Sequence, residues 1–116
     1  MHLSLSRGDI VLTPFPFTDL TRSALRPALV VSDGPIGEDL VLAGISSIIR
    51  GPQIPTDLRV ESTHPEFLQT GLRVTSVIRL HKLATVERSI LVRRLGHIGP
   101  QLFSEVNVLL KKVLGL

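Results

Sequence analysis

Turn-forming residues interrupt the first 98 residues of the chain at short intervals, and the apolar runs between them have the length of β-strands. Gly34-Pro35 and Gly51-Pro52, for example, follow two such runs. This pattern favours a mostly β domain. Residues 83–86 either continue the sheet or turn out of it, and residues 64–67 indicate a short helical turn. The predicted strands are residues 9–15, 27–32, 39–49, 57–61 and 74–81, with residues 91–98 open between strand and helix.

The end of the chain carries a different pattern, which is typical of an amphipathic helix. Pro100 is suited to a first helical turn, Lys111 and Lys112 complement the dipole of a helix C-terminus, and Gly115 ends the segment. Apolar residues recur at helical spacing, namely Leu102, Phe103, Val106, Leu109, Leu110 and Val113. A length of 116 residues fits one domain. The sequence therefore predicts a single α+β domain over residues 1–116, mainly β, with a small barrel-like sheet and a C-terminal α-helix packed on it.

Basic residues are concentrated in the second half of the chain. Residues 1–66 carry eight acids and five bases, whereas residues 67–116 carry two acids and eight bases. Ten of the 13 basic residues are Arg, the residue type that makes bidentate contacts with phosphate. This distribution indicates a polyanionic partner, and a solvated basic surface is the alternative reading.

Composition argues against several classes of protein. The chain has no Cys, so it has neither disulfides nor thiolate metal sites, which suits the cytoplasm. The longest apolar stretch, residues 40–49, is ten residues long, and a membrane span needs about 20. The first six residues lack the pattern of a secretory signal. The acidic residues are scattered, so we expect no metal site, no cofactor and no two-metal nuclease chemistry.

Three segments, in chain order, resemble the PemK/MazF family of toxins. They are RGDIVL at 7–12 leading into PFPFTD at 14–19, LRPALVVS at 25–32, and GISSI at 44–48 leading into IPT at 54–56. A weaker fourth match joins SVIR at 76–79 to TVE at 85–87. The resemblance implies an SH3-like barrel with a C-terminal helix, which agrees with the architecture predicted from the pattern.

The same resemblance implies a function. It implies an mRNA interferase, a sequence-specific and metal-independent endoribonuclease that cleaves single-stranded RNA as a homodimer. In such enzymes the 2′-hydroxyl attacks the adjacent phosphorus and leaves a 2′,3′-cyclic phosphate and a 5′-hydroxyl. The resemblance also implies a cognate antitoxin protein that covers the active groove. We expect a cytoplasmic protein with no membrane partner.

Four residues are predicted to be catalytic. The resemblance implies that Arg26, held just before Pro27, clamps the phosphate, and that Ser46 contributes a hydroxyl to it. Arg79 and His81 lie two residues apart on one predicted strand and so share a face. Some family members have an Arg and an Asp at these two positions, and this chain has His81 in place of the acid. The alternatives are a surface Arg that caps a strand end, a Ser satisfied within its strand and a His satisfied by a neighbour.

Four further residues are predicted to bind the substrate. Phe17, Thr18 and Arg22 lie in the loop over residues 16–25, where family members have a mobile loop. Phe17 could stack on an unpaired base or pack in the core. Ser47 is the fourth, although adjacent strand residues face opposite sides, so only one of Ser46 and Ser47 is expected to point into the site.

Two alternative functions remain open on the sequence. One is a non-catalytic toxin of the same fold that binds and poisons DNA gyrase, and the other is a degenerate domain that only binds nucleic acid. Fold alone does not decide between them. Beyond the resemblance, the apolar run over residues 40–49 and the apolar helix face predict more apolar surface than a small domain needs internally, which favours a homodimer.

Overall fold

The computed structural model describes residues 4–14 and 24–116, which form one antiparallel sheet and two helices. The strands are β1 (Asp9–Pro14), β2 (Leu25–Val30), β3 (Asp39–Ser46), β4 (Asp57–Val60), β5 (Ser76–Glu87) and β6 (Arg93–His97). Their order across the sheet is β4-β5-β3-β2-β1-β6. The helices are α1 (Phe67–Thr70) and α2 (Pro100–Leu114), with a 3₁₀ turn over Arg88–Ile90. The predicted mainly β architecture with a C-terminal helix is confirmed, as a curled half-barrel.

The sheet buries apolar side chains on both of its faces. On one face, strand residues such as Leu29, Ile45 and Ile78 pack against Leu102 and Val106 of α2. The predicted apolar face of α2 is therefore confirmed. On the other face, a second cluster forms where the sheet curls over itself, and it contains Leu5, Val11, Ala28, Val30, Leu40, Leu42, Ala84, Val86 and Leu91.

Strand β3 ends three residues earlier than the sequence predicted. The Ser46 hydroxyl accepts a hydrogen bond from the Ile48 backbone N–H at 3.1 Å and donates one to the Ile48 carbonyl at 3.3 Å. This local turn competes with continued strand pairing. Most of the apolar run over residues 40–49, which the sequence offered as surface for a dimer, is buried within the chain in the two apolar clusters of the sheet. The run therefore no longer supports a dimer.

Strand β5 is a single twelve-residue strand with a bulge, so residues 83–86, which the sequence left open, continue the sheet. Opposite β3, Arg79 pairs with Gly44 and Leu83 pairs with Ala43, so residues 80–82 have no partner on β3. A bulge of this kind bends a strand and redirects its side chains. Residues 91–98, which the sequence left open, contain the edge strand β6.

Helix α1 approaches β6 so closely that glycine is required at the contact. A Cβ at Gly96 would lie 2.2 Å from the Gln69 carbonyl oxygen, and one at Gly71 would lie 2.1 Å from the Leu95 carbonyl oxygen. Gly71 also has a positive φ of 74° as the C-cap of α1, a conformation that favours glycine. The two glycines thus let the segment after β4 pack onto the edge of the sheet.

A carboxylate distant in sequence caps the N-terminus of α2. Gly99 has no side chain to offer, and Glu66 instead accepts hydrogen bonds from the backbone N–H groups of Gln101 and Leu102, each at 2.9 Å. Burial alone raises the pKa of the Glu66 carboxyl. The N–H donors of Leu102 and Gln101, together with His64, outweigh burial and hold this pKa below its ordinary value of 4.5. Glu66 therefore stabilises the helix as an anion.

We expect Glu66→Ala to lower the free energy of unfolding by about 1 kcal/mol near neutral pH, the usual cost of losing an N-cap. The folded-state pKa of Glu66 lies below its unfolded value. The contribution is therefore complete above the ordinary pKa of 4.5 and is lost as the pH falls through the folded-state pKa. Urea unfolding of wild type and of Glu66→Ala, from neutral pH down to below the folded-state pKa, measures the difference in the free energy of unfolding.

Glu105→Ala is the matched control, because Glu105 is an exposed acid within the same helix. Its effect should stay within about 0.5 kcal/mol. If the difference in the free energy of unfolding between wild type and Glu66→Ala does not decrease in acid, Glu66 does not cap α2 as a carboxylate.

Candidate active site

Arg26 and Ser46 lie on neighbouring strands and line the same cavity. The register of β2 and β3 pairs Ala28 with Gly44. Arg26 lies two residues before Ala28, and Ser46 lies two residues after Gly44. Both side chains therefore point to the face of the sheet that bears Ala28. The cavity, called here the Arg26 cavity, is lined by Leu25, Arg26, Pro27, Ile45, Ser46, Ser47 and Ile48.

The guanidinium of Arg26 is exposed at the rim of this cavity. Its Nη1 donates a hydrogen bond to the Leu25 carbonyl oxygen at 3.3 Å. The backbone beneath it is fixed, because Arg26 pairs with the fully buried Thr13 of β1 and precedes Pro27. A cationic side chain on a rigid strand is well placed to bind an anion from solvent.

Ser46 and Ser47 both line the Arg26 cavity. Strand β3 ends at Ser46, so the alternation rule behind the expectation that only one of them points into the site does not extend to Ser47. The Ser46 hydroxyl already donates to the Ile48 carbonyl oxygen. Since a hydroxyl has one proton to donate, Ser46 must release Ile48 before it donates to a phosphate.

Arg79 lies beside a buried acid that the sequence did not single out. Asp57 of β4 pairs with Arg79 of β5, and the Asp57 Oδ1 lies 3.4 Å from the Arg79 Nε. The Asp57 side chain is only 8% exposed, against 34% for Arg79. Both side chains line a second cavity with Val77 and residues 48–54. This Arg79 cavity meets the Arg26 cavity at Ile48.

His81 reaches the same acid from the bulge of β5. Its Nδ1 lies 3.2 Å from the Thr56 hydroxyl oxygen and 3.9 Å from the Asp57 Oδ1. The prediction that Arg79 and His81 share a side of the sheet agrees with this arrangement, since both contact Asp57. The alternative reading, a His satisfied by a neighbour, is also compatible with the Thr56 contact.

The predicted catalytic side chains occupy one face of the sheet, opposite α2. Ser46 pairs with Val77, and Gly44 pairs with Arg79, so Arg79 projects to the face of Ser46. Residues two apart along a strand are separated by about 7 Å, so the Arg26 and Arg79 cavities lie within the span of a few nucleotides. The arrangement offers two guanidiniums, a hydroxyl and an imidazole to one phosphodiester segment.

The predicted substrate-binding residues Phe17, Thr18 and Arg22 lie outside the described residues. Over residues 4–14 and 24–116, no group of three or more His, Asp or Glu side chains is arranged to hold a metal ion. In the same ranges, neither helix combines the length and the apolar composition needed to cross a membrane.

Fold and site together define a small half-barrel protein with an arginine-lined groove on its sheet. Residues 6–114 match the model of the family described as PemK-like, MazF-like toxins of type II toxin–antitoxin systems. The chain belongs to this family, as the motifs in its sequence indicated.

Several solved structures have the same fold. An endoribonuclease from a mycobacterial species is 22% identical, with a TM-score of 0.72, and the match covers 100% of this chain and 96% of that chain. An endoribonuclease in complex with its cognate antitoxin, also mycobacterial, is 20% identical, with a TM-score of 0.71 and coverages of 97% and 96%. MazF from Deinococcus radiodurans is 18% identical, with a TM-score of 0.71 and complete coverage of both chains, each 100%. No curated protein sequence matches this chain.

We expect Ser46→Ala to lower the free energy of unfolding by about 0.5–1 kcal/mol, because the turn to Ile48 loses both hydrogen bonds of the hydroxyl at a solvent-exposed position. Ser47→Ala, next to it in the same cavity, should change the free energy of unfolding by less than about 0.5 kcal/mol. Urea unfolding of the two variants measures the contrast. Equal effects would show that the Ser46 turn does not contribute to stability.

Proposed function

We propose that this chain is an endoribonuclease that cleaves single-stranded mRNA at specific sequences. The observation that carries the proposal is that Arg26 and Ser46 line one cavity, on the face of the sheet that also bears Arg79. A guanidinium and a hydroxyl at one cavity provide the hydrogen-bond donors that a phosphodiester needs. Membership of the toxin family and the names of the similar structures support the same activity.

The proposed reaction uses the 2′-hydroxyl of the RNA as the nucleophile. Its oxygen forms a bond to the adjacent phosphorus and gives up its proton, while the bond from phosphorus to the 5′ oxygen breaks and that oxygen takes up a proton. The products are a 2′,3′-cyclic phosphate and a 5′-hydroxyl. Because the substrate supplies its own nucleophile, we expect the reaction to require neither a metal ion nor a cofactor.

The four candidate residues divide this chemistry between charge stabilisation and proton transfer. Arg26 and Arg79 would stabilise the negative charge that develops on the phosphorus-bound oxygens. Arginine does not give up its proton in proteins, so proton transfer falls to His81, whose imidazole can accept and donate. Ser46 would donate its hydroxyl to a non-bridging oxygen. General acid–base help of this kind is worth about 10²–10⁴-fold in rate.

We propose a cognate antitoxin as the protein partner. Similar structures from a mycobacterial species and from Deinococcus radiodurans contain a toxin with its antitoxin. An antitoxin segment lying over Arg26 and Arg79 would block access of a phosphate to both.

We propose that the chain acts in the cytoplasm, where mRNA is found. We also propose that it acts as a homodimer, for which the family resemblance is the support.

The direct test is cleavage of single-stranded RNA by the purified protein in EDTA. We expect new ends that carry a 2′,3′-cyclic phosphate and a 5′-hydroxyl. Arg26→Ala should lower kcat/KM by about 10²–10³-fold, the usual cost of removing one donor to a developing oxyanion. Arg26→Lys should recover part of that loss, because it keeps the charge and loses the bidentate geometry. Gel analysis and end-group mapping measure both effects.

Lys112→Ala is the matched control, since it removes a basic side chain from α2, on the opposite face of the sheet. It should leave cleavage within about twofold of wild type. Undiminished cleavage by Arg26→Ala would refute the mechanism. Inhibition of DNA gyrase without new RNA ends, or salt-sensitive RNA binding without cleavage, would refute the nuclease assignment.

A further inference from the structure

The acid Asp57 occupies an unusual position for an ionisable side chain. It begins β4, its side chain is 8% exposed, and it lies between Arg79 and His81 on the neighbouring strand. A buried carboxylate is costly unless it is paired and hydrogen-bonded. Among the described residues, neither the Asp57 Oδ1 nor the Arg79 Nε has a hydrogen-bond partner, although the two atoms lie 3.4 Å apart. Asp57 and Arg79 therefore face each other as a largely buried ion pair in which these two atoms make no hydrogen bond.

Two oxygen atoms near His81 bear on which of its ring nitrogens carries the proton. Its Nδ1 faces two oxygens, those of the Thr56 hydroxyl and the Asp57 carboxylate. The Thr56 hydroxyl, the nearer of the two, can donate or accept and so fits either tautomer, whereas a carboxylate only accepts hydrogen bonds and favours the neutral imidazole with its proton on Nδ1. In that tautomer the lone pair is on Nε2, which is the nitrogen available to a substrate.

The bulge in β5 brings these groups together. Residues 80–82 have no partner on β3, and the Leu80 backbone N–H instead donates to the Thr56 carbonyl at 3.1 Å. His81 is the middle residue of this bulge. The bulge that interrupts pairing with β3 therefore turns the imidazole of His81 towards Thr56 and Asp57, at the edge of β5 that pairs with β4.

We propose that Asp57 is a positioning residue for the cleavage reaction. Its carboxylate holds His81 in the Nδ1–H tautomer and orients the guanidinium of Arg79, so that the Nε2 of His81 is the base. The 2′-hydroxyl then gives its proton to Nε2 as its oxygen bonds to phosphorus. The bond from phosphorus to the 5′ oxygen breaks, that oxygen takes a proton from a solvent water, and the imidazolium returns its proton to the hydroxide left behind. The inference rests on the proposed function for its role in the reaction, while the tautomer is a property of the free protein.

The tautomer is tested by long-range ¹H–¹⁵N NMR of the uniformly labelled full chain, without RNA, at about pH 8, where histidines are ordinarily neutral. His81→Gln assigns the His81 signals among the four histidines. We expect wild-type His81 to be predominantly protonated on Nδ1 and Asp57→Asn to shift it towards the Nε2–H form. A wild-type His81 that is mainly protonated on Nε2 would overturn the proposal, whether or not the chain cuts RNA.

The role in the reaction is tested by kinetics on an RNA that the wild-type protein cleaves. Asp57→Asn should lower kcat by at least about tenfold with KM changed much less, because the tautomer affects the proton transfer. Asp57→Glu, which keeps the carboxylate, should recover part of kcat. Glu61→Gln is the matched control, since it removes an acid that pairs with Arg59 on the surface at the end of β4.

The two measurements separate the possible failures. Wild-type kcat in Asp57→Asn, with the urea midpoint unchanged, would refute the positioning role and leave the nuclease intact. A wild-type protein that does not cut RNA would refute the proposed function, and the NMR result would still decide whether Asp57 sets the His81 tautomer. A lower urea midpoint in Asp57→Asn, with wild-type kcat and an unchanged His81 tautomer, would assign Asp57 a structural role only and contradict the proposal.

Discussion

Strand β3 pairs with β2 along one edge and with β5 along the other, and its side chains are buried on both faces of the sheet. Ala43 and Ile45 belong to the cluster under α2, whereas Leu40 and Leu42 belong to the cluster inside the curl. A one-residue slip of β3 would exchange these two sets. Its register is therefore strongly specified, and with it the positions at which β2 and β5 bring their polar residues alongside Ser46.

This arrangement separates stability from chemistry. The face under α2 carries the larger apolar cluster and the helix that Glu66 caps. At one end of β2, β3 and β5 the opposite face is polar, and there it presents Arg26, Ser46 and Arg79. The candidate groups sit on strands and at strand ends, and positions on such rigid elements hold side chains more precisely than loops do. Substitutions at the polar end should therefore affect function more than folding.

The parts of the fold that the sequence predicted are those set by local pattern. The period of apolar residues in α2, the strands near the Gly-Pro pairs and the order of the family motifs all identified real elements. Local pattern missed contacts between residues far apart in the chain. Glu66 caps a helix that begins more than 30 residues later, and Asp57 meets Arg79 and His81 only because β4 pairs with β5. The end of β3 at Ser46 and the bulge at residues 80–82 depend on a hydroxyl turn and on cross-strand register, which alternation rules do not include.

In the proposed reaction, Arg26 and Ser46 bind the same phosphodiester. The most direct measurement is a crystal structure of the protein with a single-stranded RNA whose 2′-hydroxyls are methylated, since that RNA presents every phosphate and cannot be cleaved by 2′-hydroxyl attack. We expect one phosphate in contact with both the Arg26 guanidinium and the Ser46 hydroxyl, with the adjoining ribose towards His81. An RNA bound along α2, or a phosphate that contacts Arg26 while Ser46 keeps its turn to Ile48 and lies out of reach, would contradict it.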